Sequence, residues 1–213
     1  MGESVRERVR TLAGRYTIDR QIGRGSTAVV YLARDCVSGR NVAIKVFRQE
    51  FSAAVGPDRF LREIRLTQSL HHPHILEVLD SGAEDGALYF VAPYMDGGTL
   101  RSRLHRETQL TIPEAVSITI AIAEALDHAH AHNVIHRDVK PENILFSQGR
   151  AYLADFGIAR VVERAVDATT TSTGIIRGTP AYMSPEQASG SADCDGRSDL
   201  YSLGLVLYEM LAG

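Results

Sequence analysis

The sequence predicts an α+β fold, with a small antiparallel sheet and one helix in the first half of the chain and a mainly helical second half. Two patterns predict this division. Short β-branched or alternating runs, separated by turn residues, fill the first half. Longer runs rich in Ala, Ile and Leu fill the second half. The length of 213 residues suits one large domain or two small lobes, and an apolar fraction of 44% supplies a packed core.

The first half contains five predicted strands and one predicted helix. Residues 1–14 form a polar lead-in. The helix is predicted over residues 57–70, where a proline suits the first turn and Phe60, Ile64 and Leu70 form the inner face. The predicted strands share short β-branched or alternating patterns and cover residues 16–22, 29–34, 41–47, 78–81 and 88–91.

The second half is predicted to be helical apart from one hairpin. Thr111 and Glu114 form a capping box that opens a long helix ending near His132. The other predicted elements are a short helix over residues 99–107, a hairpin with strands at 144–146 and 151–154, and an apolar helix that Asp199 opens.

Composition narrows the classes of partner and compartment. A net charge of −3 and a pI near 6.2 give no reason to expect nucleic acid. Cys36 and Cys194 form no CxxC pair, which favours a reduced cytoplasmic protein without structural zinc. No signal peptide is recognisable. The longest apolar run, residues 200–212, is too short to span a bilayer and contains Glu209.

Two groups of histidines have spacings that metal sites also use. One is the run His-His-Pro-His at residues 71–74, and the other is the pair His128 and His132 on one helix face. The run offers no fixed ligand geometry, and its proline suits the end of a helix. The pair lacks the HExxH sequence, and cations suit a helix carboxyl end. Helix termination is therefore the favoured interpretation of both groups.

Two short runs carry the clearest chemical signal. They are His-Arg-Asp-Val-Lys-Pro-Glu-Asn at residues 136–143 and Asp-Phe-Gly at residues 155–157. Phosphoryl transfer needs a carboxylate that accepts a hydroxyl proton, oxygen ligands for Mg²⁺ and positive charge beside the moving phosphate. Each acid alone would be interpreted as a solvated turn residue or the end of a strand. Both runs in this order predict a site of phosphoryl transfer.

These runs resemble the catalytic motifs of eukaryotic-like, bacterial Hanks-type Ser/Thr protein kinases. The resemblance implies a bilobal kinase-like fold, with ATP as phosphate donor. It implies that Asp138 is the catalytic base and that Lys140 lies beside the γ-phosphate. Asn143 and Asp155 would bind Mg²⁺, with Mn²⁺ as the alternative cation.

A glycine-rich run in the first half resembles the kinase loop that covers the phosphates. It implies nucleotide contacts at Ile22, Gly23 and Gly25. Ala28 stands where the third glycine is usual. A dinucleotide-binding loop is disfavoured, because a strand pattern follows the glycines and no helix pattern does.

Lys45 lies in Val-Ala-Ile-Lys, which resembles the strand-borne lysine motif of kinases. The resemblance implies that Lys45 neutralises the nucleotide phosphates and that Glu63 pairs with it. Alternatively, Glu63 pairs with Arg59 or Arg62 on its own helix.

Residues 92–98 resemble the hinge between kinase lobes. The resemblance implies that adenine bonds to the Pro93 carbonyl and to the backbone of Met95. Ala92 stands where a larger side chain is usual, which predicts a deeper pocket. The apolar side chains expected around the purine are Val30, Ala43 and Leu145, and their alternative role is strand core.

Residues 158–183 resemble an activation loop, with Thr171 and Thr173 as phosphoacceptor candidates. The alternative is a loop whose threonines are not modified. Thr179 is expected to hydrogen-bond near the catalytic residues. Ser-Pro-Glu at residues 184–186 stands for the family's Ala-Pro-Glu, and Gln187 after it is similar to bacterial members.

The resemblance covers residues 15–213 and implies four regions. They are the lead-in at 1–14, the small lobe at 15–91, the hinge at 92–98 and the larger lobe at 99–213. The larger lobe is expected to lack its final helices, so that Glu186 lacks the arginine that usually pairs with it. The chain is therefore expected to be a fragment of a longer kinase. In bacterial relatives the full-length kinase is often anchored in the membrane.

The sequence thus predicts a non-specific serine/threonine protein kinase of the EC 2.7.11.1 class. It would act on Ser/Thr of protein substrates, under regulation by autophosphorylation of the activation loop in a transient homodimer. The alternative is a nucleotide-binding pseudokinase or inactive fragment that acts as a scaffold. A small-molecule phosphotransferase fits the substrate-loop motifs poorly.

Overall fold

The computed structural model describes residues 11–156, 180–191 and 194–213. These residues form two compact units. The first unit takes in the described residues up to Arg62 together with Val78–Tyr94. The second takes in Glu63–Glu77 and the described residues from Met95 to Gly213.

The first unit is built on a six-stranded sheet in which each hydrogen-bonded pair is antiparallel. The strand order is β1-β2-β3-β4-β6-β5, so β4 pairs with β6 and β5 lies at the edge of the sheet. The strands are β1 (Thr11–Leu12), β2 (Tyr16–Arg24), β3 (Ala28–Asp35), β4 (Asn41–Phe47), β5 (Asp80–Glu84) and β6 (Ala87–Pro93).

Alternation along β4 gives the sheet two different faces. Val42 and Ile44 are buried and pack in a cluster with Tyr16 and Val91. Because side chains alternate along a strand, Ala43 and Lys45 point to the opposite face. Lys45, which is predicted to bind the nucleotide, therefore lies on the sheet face opposite this hydrophobic cluster.

Two helices follow β4, and the sequence predicted only the second. They are α1 (Gln49–Val55) and α2 (Pro57–Gln68). The first has no side-chain cap at Arg48 and only seven residues, so it gives little helical periodicity to recognise. Phe47 anchors this part of the unit, since its ring stacks on Phe51 at 4.9 Å and meets Phe60 edge-on at 5.4 Å.

The second unit is mainly helical, as predicted. Its elements are α3 (Leu100–Glu107), α4 (Ile112–Ala131), a 3-10 helix (Pro141–Asn143), β7 (Ile144–Ser147), β8 (Arg150–Leu153), a second 3-10 helix (Pro180–Tyr182), α5 (Pro185–Ala188) and α6 (Gly196–Ala212). The strands β7 and β8 form the predicted hairpin. The core is the interface of α4 and α6, which buries Ile122, Leu126, Leu203, Val206 and Met210.

The predicted capping box of α4 is confirmed. The backbone N–H and the hydroxyl of Thr111 donate to Glu114 Oε2, at 3.3 and 2.6 Å. The hydrogen bonds from Thr111 and from Arg103 lower the pKa of Glu114 to about 2. Thr99 forms a second capping box with Ser102 and fixes the start of α3.

The two groups of histidines meet in the second unit. The His72 ring stacks on the His128 ring at 5.3 Å, and the His128 and His132 rings are 4.5 Å apart. Across the described ranges, no group of three or more His, Cys, Asp or Glu side chains could hold a metal ion. The histidines therefore pack the loop at residues 71–74 against the end of α4 through their rings.

None of the helices in the described parts of the chain combines the length and the apolar character needed to cross a bilayer.

Candidate active site

The loop between α4 and β7 holds three of the predicted site residues in direct contact. Lys140 Nζ lies 2.8 Å from Asp138 Oδ1 and 2.7 Å from Asp138 Oδ2. Asn143 Nδ2 donates to the Asp138 backbone carbonyl at 2.8 Å and to its Oδ2 at 3.0 Å. The carboxylate of Asp138 is therefore oriented by a cation on one side and a carboxamide on the other.

His136 connects this loop to the strand that leads to Asp155. Its Nδ1 accepts from the Asp138 N–H at 3.2 Å, so the ring proton resides on Nε2. Nε2 then donates to the Ala154 carbonyl at 2.8 Å, while the Ala154 N–H donates to the Asn143 carbonyl at 2.9 Å. Both polar backbone groups of Ala154 are thus bonded to the loop at residues 132–143, called the catalytic loop below, and this brings the neighbouring Asp155 next to Asn143.

The backbone around Asp155 is held from both sides. Asp155 has a φ of 67°, in the left-handed region that a non-glycine residue enters at a cost of about 1–2 kcal/mol. Phe156 is buried, and its ring meets the His136 ring edge-on at 4.7 Å. Thr67 on α2 donates its hydroxyl to the Phe156 carbonyl at 3.1 Å. Packing and hydrogen bonds at Phe156 therefore stabilise the backbone conformation of the neighbouring Asp155.

A buried aspartate in the first turn of α6 anchors the loop through hydrogen bonds to its backbone. Asp199 accepts from the backbone N–H groups of His136 and Arg137 at 2.8 and 2.7 Å. The same carboxylate forms a hydrogen bond with Nε2 of His130 on α4, at 2.8 Å. Arg137 has a φ of 66°, so these bonds fix a strained residue immediately before Asp138. These hydrogen bonds anchor the loop on α6.

Asn143 and Asp155 fit a magnesium ion by the chemistry of their donors. Both of the Nδ2 hydrogen bonds of Asn143 go to Asp138, which leaves its side-chain oxygen as the atom suited to a hard cation. In the part of the chain that the structure describes, no group of three or more acidic, histidine or cysteine residues could hold the ion alone. Phosphate oxygens and water would supply the remaining ligands of Mg²⁺.

The first unit places several predicted nucleotide contacts on one face of its sheet. Lys45 on β4 is paired with Val30 on β3 and with Phe90 on β6, and Val30 is paired with Gly23 on β2. Residues directly opposite one another in an antiparallel pair share a face. Ala43 lies two residues before Lys45 and shares this face as well. Lys45 Nζ is 5.9 Å from the centroid of the Phe90 ring.

The remaining predicted contacts lie on several elements. Ile22 is on β2, and the Gly25 N–H closes the β2–β3 turn on the Ala28 carbonyl at 2.8 Å. Pro93 ends β6, and Met95 begins a further stretch of the second unit. Leu145 lies on β7, opposite Tyr152.

Some predictions stay untested by the geometry. Lys45 belongs to the first unit and Glu63 to the second, so their pairing remains a prediction. Thr171, Thr173 and Thr179 lie outside the described residues.

Glu186 of the Ser-Pro-Glu motif has a partner close by in the second unit. It accepts a short hydrogen bond from Ser198 on α6, and this bond lowers the pKa of the Glu186 carboxyl.

Arg101 links three other side chains of the second unit and was not predicted from the sequence. It extends from α3 and donates to Glu142 at 2.7 Å, to Glu209 at 2.5 Å, and to the hydroxyl of Tyr182. Burial and the hydrogen bond to Glu209 raise the pKa of Tyr182 to about 12. Nothing in the local sequence signals this network, because its hydrogen-bonded members are 27 to 108 residues apart in the sequence.

Comparisons with known proteins agree with this geometry. Residues 16–213 match the family described as the protein kinase domain. The chain is 41% identical over 206 residues to the serine/threonine-protein kinase PrkC of Bacillus subtilis, covering 95% of this chain and 31% of PrkC. It is 42% identical over 210 residues to the serine/threonine-protein kinase PknB of Mycobacterium tuberculosis, covering 95% of this chain and 33% of PknB.

A solved structure supports the same assignment. The kinase domain of Mycobacterium tuberculosis PknI is similar to this chain with a TM-score of 0.74 and 34% identity, covering 95% of this chain and 75% of the PknI chain. The chain therefore belongs to the protein kinase domain family. Its similarity to PrkC and PknB confirms the predicted Hanks-type Ser/Thr kinase domain and its kinase-like α+β fold. The chain spans about a third of the length of these curated relatives.

Proposed function

We propose that this chain transfers the γ-phosphate of ATP to Ser or Thr hydroxyls of protein substrates, with Asp138 as the base. The observation that carries this proposal is the contact of the Asp138 carboxylate with Lys140 and Asn143 inside one anchored loop. Such a cluster combines an acceptor for the hydroxyl proton with a cation for the transferred phosphate.

Each residue of the loop has a separate task in this proposal. Asp138 accepts the proton of the substrate hydroxyl as the oxygen attacks phosphorus. Lys140 stabilises the negative charge that spreads over the equatorial phosphate oxygens. Asn143 and Asp155 hold Mg²⁺, or Mn²⁺ in its place, which supplies charge neutralisation to the phosphates when bound.

The nucleotide contacts of the first unit complete the proposal. Gly23 and Gly25 offer backbone N–H groups to phosphate, and Lys45, supported by Glu63, neutralises it. Val30 and Ala43, which lie on the same sheet face as Lys45, contact the purine. Ile22, Pro93, Met95 and Leu145 are proposed as the other adenine contacts.

The division into regions and the regulation are proposals too. The small lobe is proposed at residues 15–91, the hinge at 92–98 and the larger lobe at 99–213. Thr171 and Thr173 are proposed autophosphorylation sites, modified in a transient homodimer, and Thr179 is proposed to bond near the catalytic residues. A cytoplasmic location is proposed because ATP is the phosphate donor and because Cys36 and Cys194 form no CxxC pair.

Transfer of radiolabelled phosphate from ATP to a generic protein tests the proposed reaction. The wild-type chain should label the protein, and Asp138→Asn should remove most of the labelling, because an amide cannot accept the proton. Equal labelling by both would contradict the proposal, and labelling by neither would favour the nucleotide-binding scaffold. Lys140→Gln is a second variant with the same expectation, since it removes the cation and leaves the base.

A further inference from the structure

The side chain of Gln187 connects the short helix α5 to the catalytic loop. Gln187 lies on α5, and its Nε2 donates to the Arg137 carbonyl at 2.8 Å. Its Oε1 accepts from the Ser184 N–H at 3.1 Å, while its own N–H donates to Ser184 Oγ at 3.3 Å. The carboxamide therefore bridges a capping box to the residue immediately before Asp138.

The orientation of this carboxamide follows from its partners. Ser184 N–H is a donor and requires the oxygen of the carboxamide, whereas the Arg137 carbonyl is an acceptor and requires the nitrogen. A flipped carboxamide would place two donors together at one end and two acceptors together at the other.

The bond fixes a peptide unit that the active site depends on. The peptide between Arg137 and Asp138 has its carbonyl bonded to Gln187 and its N–H bonded to His136 Nδ1 at 3.2 Å. Arg137 also has a left-handed φ of 66°, which its surroundings must maintain. Asp199 holds the N–H of Arg137 at 2.7 Å, and Gln187 holds the carbonyl.

The helix that carries Gln187 is itself fixed on α6. Glu186 accepts from Ser198, and the Tyr182 carbonyl accepts from Ser202 Oγ at 2.7 Å. Ser184 is fully buried. The hydrogen bond of Gln187 therefore ties the catalytic loop to a helix that α6 holds in place.

We propose that Gln187 is a positioning residue, which holds the Arg137–Asp138 peptide so that the Asp138 carboxylate meets the substrate hydroxyl. This inference rests on the proposed role of Asp138 as base. A displacement of about 1 Å at a catalytic group lowers turnover by about 100-fold. Loss of the Gln187 bond therefore lowers kcat while the KM for ATP stays within about twofold, because the nucleotide contacts are elsewhere.

Two substitutions in the full chain test this role. Gln187→Glu keeps the shape but presents an oxygen to the Arg137 carbonyl, and Gln187→Met removes both hydrogen bonds at similar length. We expect kcat to fall by about 10- to 100-fold in both variants at pH 8. Gln109→Met is the matched control, because Gln109 also donates to a backbone carbonyl, that of Ala212 at 2.8 Å, away from the catalytic loop. Its kcat should equal that of the wild type.

The pH profile separates positioning from a merely structural role. In Gln187→Glu, protonation of the introduced carboxyl group creates a hydroxyl that can donate to the Arg137 carbonyl. The rate of this variant relative to wild type should therefore rise several-fold between pH 8 and pH 5.5. The relative rate of Gln187→Met should stay flat.

Other titratable groups around the bridge are common to every variant and cancel in this ratio. They are His130 on α4, His136 and Asp138 in the loop, Glu186 on α5 and Asp199 on α6.

The outcomes distinguish this inference from the proposed reaction. Wild-type kcat in both Gln187 variants, with Asp138→Asn inactive, would overturn the positioning role alone. A loss that parallels a lower unfolding temperature, without recovery of Gln187→Glu at low pH, would overturn it as well. Equal transfer by wild type and Asp138→Asn would overturn the proposed reaction and the positioning role with it.

Discussion

Two side chains, His136 in the catalytic loop and Asp199 on α6, hold the loop through several hydrogen bonds each. His136 uses both ring nitrogens, one for the Asp138 N–H and one for the Ala154 carbonyl. Asp199 accepts three hydrogen bonds from His130 and two backbone N–H groups. Because buried polar groups without partners are costly, these hydrogen bonds leave the loop few alternative conformations.

The charge state of His72 affects the stability of the fold near neutral pH. Burial, followed by the repulsion of His128 and His74, lowers its pKa from the usual 6.5, against an attraction from Glu124. The fold therefore favours the neutral ring. The stability that His72 contributes is complete above pH 6.5 and is lost as the pH falls through its lower pKa in the folded chain.

His72→Asn should make the chain less sensitive to acid. The Asn oxygen replaces Nδ1 as the acceptor for the His74 N–H, which lies 3.2 Å from it, but cannot be protonated. Between pH 7.5 and pH 5.5 the unfolding temperature of the wild type should fall further than that of the variant. His71→Asn, at an exposed neighbouring position, should behave as the wild type. Identical slopes for His72→Asn and wild type would remove this explanation.

Elements were predicted best where the sequence carries a local signal. The capping box at Thr111 and Glu114 marked the start of α4, and alternating β-branched residues marked β3 and β4. The short helix α1 has no such signal. The bridge from Gln187 to Arg137 was also missed, although the Ser-x-x-Gln pattern of a capping box was a usable sign. Its partner lies 50 residues away, and no local rule specifies such a contact.

The glycines of α6 provide a matched test of how this helix packs. A Cβ at Gly196 would lie 2.6 Å from His130 Nδ1, and Asp199 holds that ring in place. Gly196→Ala should therefore destabilise the fold by about 1–3 kcal/mol. Gly204 has no atom within 4 Å of its Cβ position, so Gly204→Ala should stabilise the helix by about 0.5–1 kcal/mol.

Denaturant unfolding of the two alanine variants measures both effects. We expect the midpoint of Gly196→Ala to fall and that of Gly204→Ala to rise relative to wild type. Gly196→Ala should also reduce phosphate transfer, because Asp199 anchors the catalytic loop. A Gly196→Ala chain at least as stable as the wild type would contradict the packing described here.

At the scale of the whole molecule, the chain divides into two compact units that carry different parts of the proposed chemistry. Lys45 lies in the first unit, and Asp138, Asn143 and Asp155 lie in the second. The order of the motifs along the sequence was sufficient to predict the family and its fold. The sequence could not predict the packing of the histidines or the links made by Arg101, because those contacts depend on tertiary structure.

The proposed function requires that Lys45 and Asp155 bind the same Mg-ATP. Calorimetric titration of the full chain with a non-hydrolysable ATP analogue and Mg²⁺ tests this most directly. We predict one nucleotide per chain, bound more weakly in Lys45→Ala and in Asp155→Ala, with the Asp155→Ala loss absent when EDTA removes Mg²⁺. Two nucleotides per chain, each weakened by only one of the substitutions, would contradict the claim.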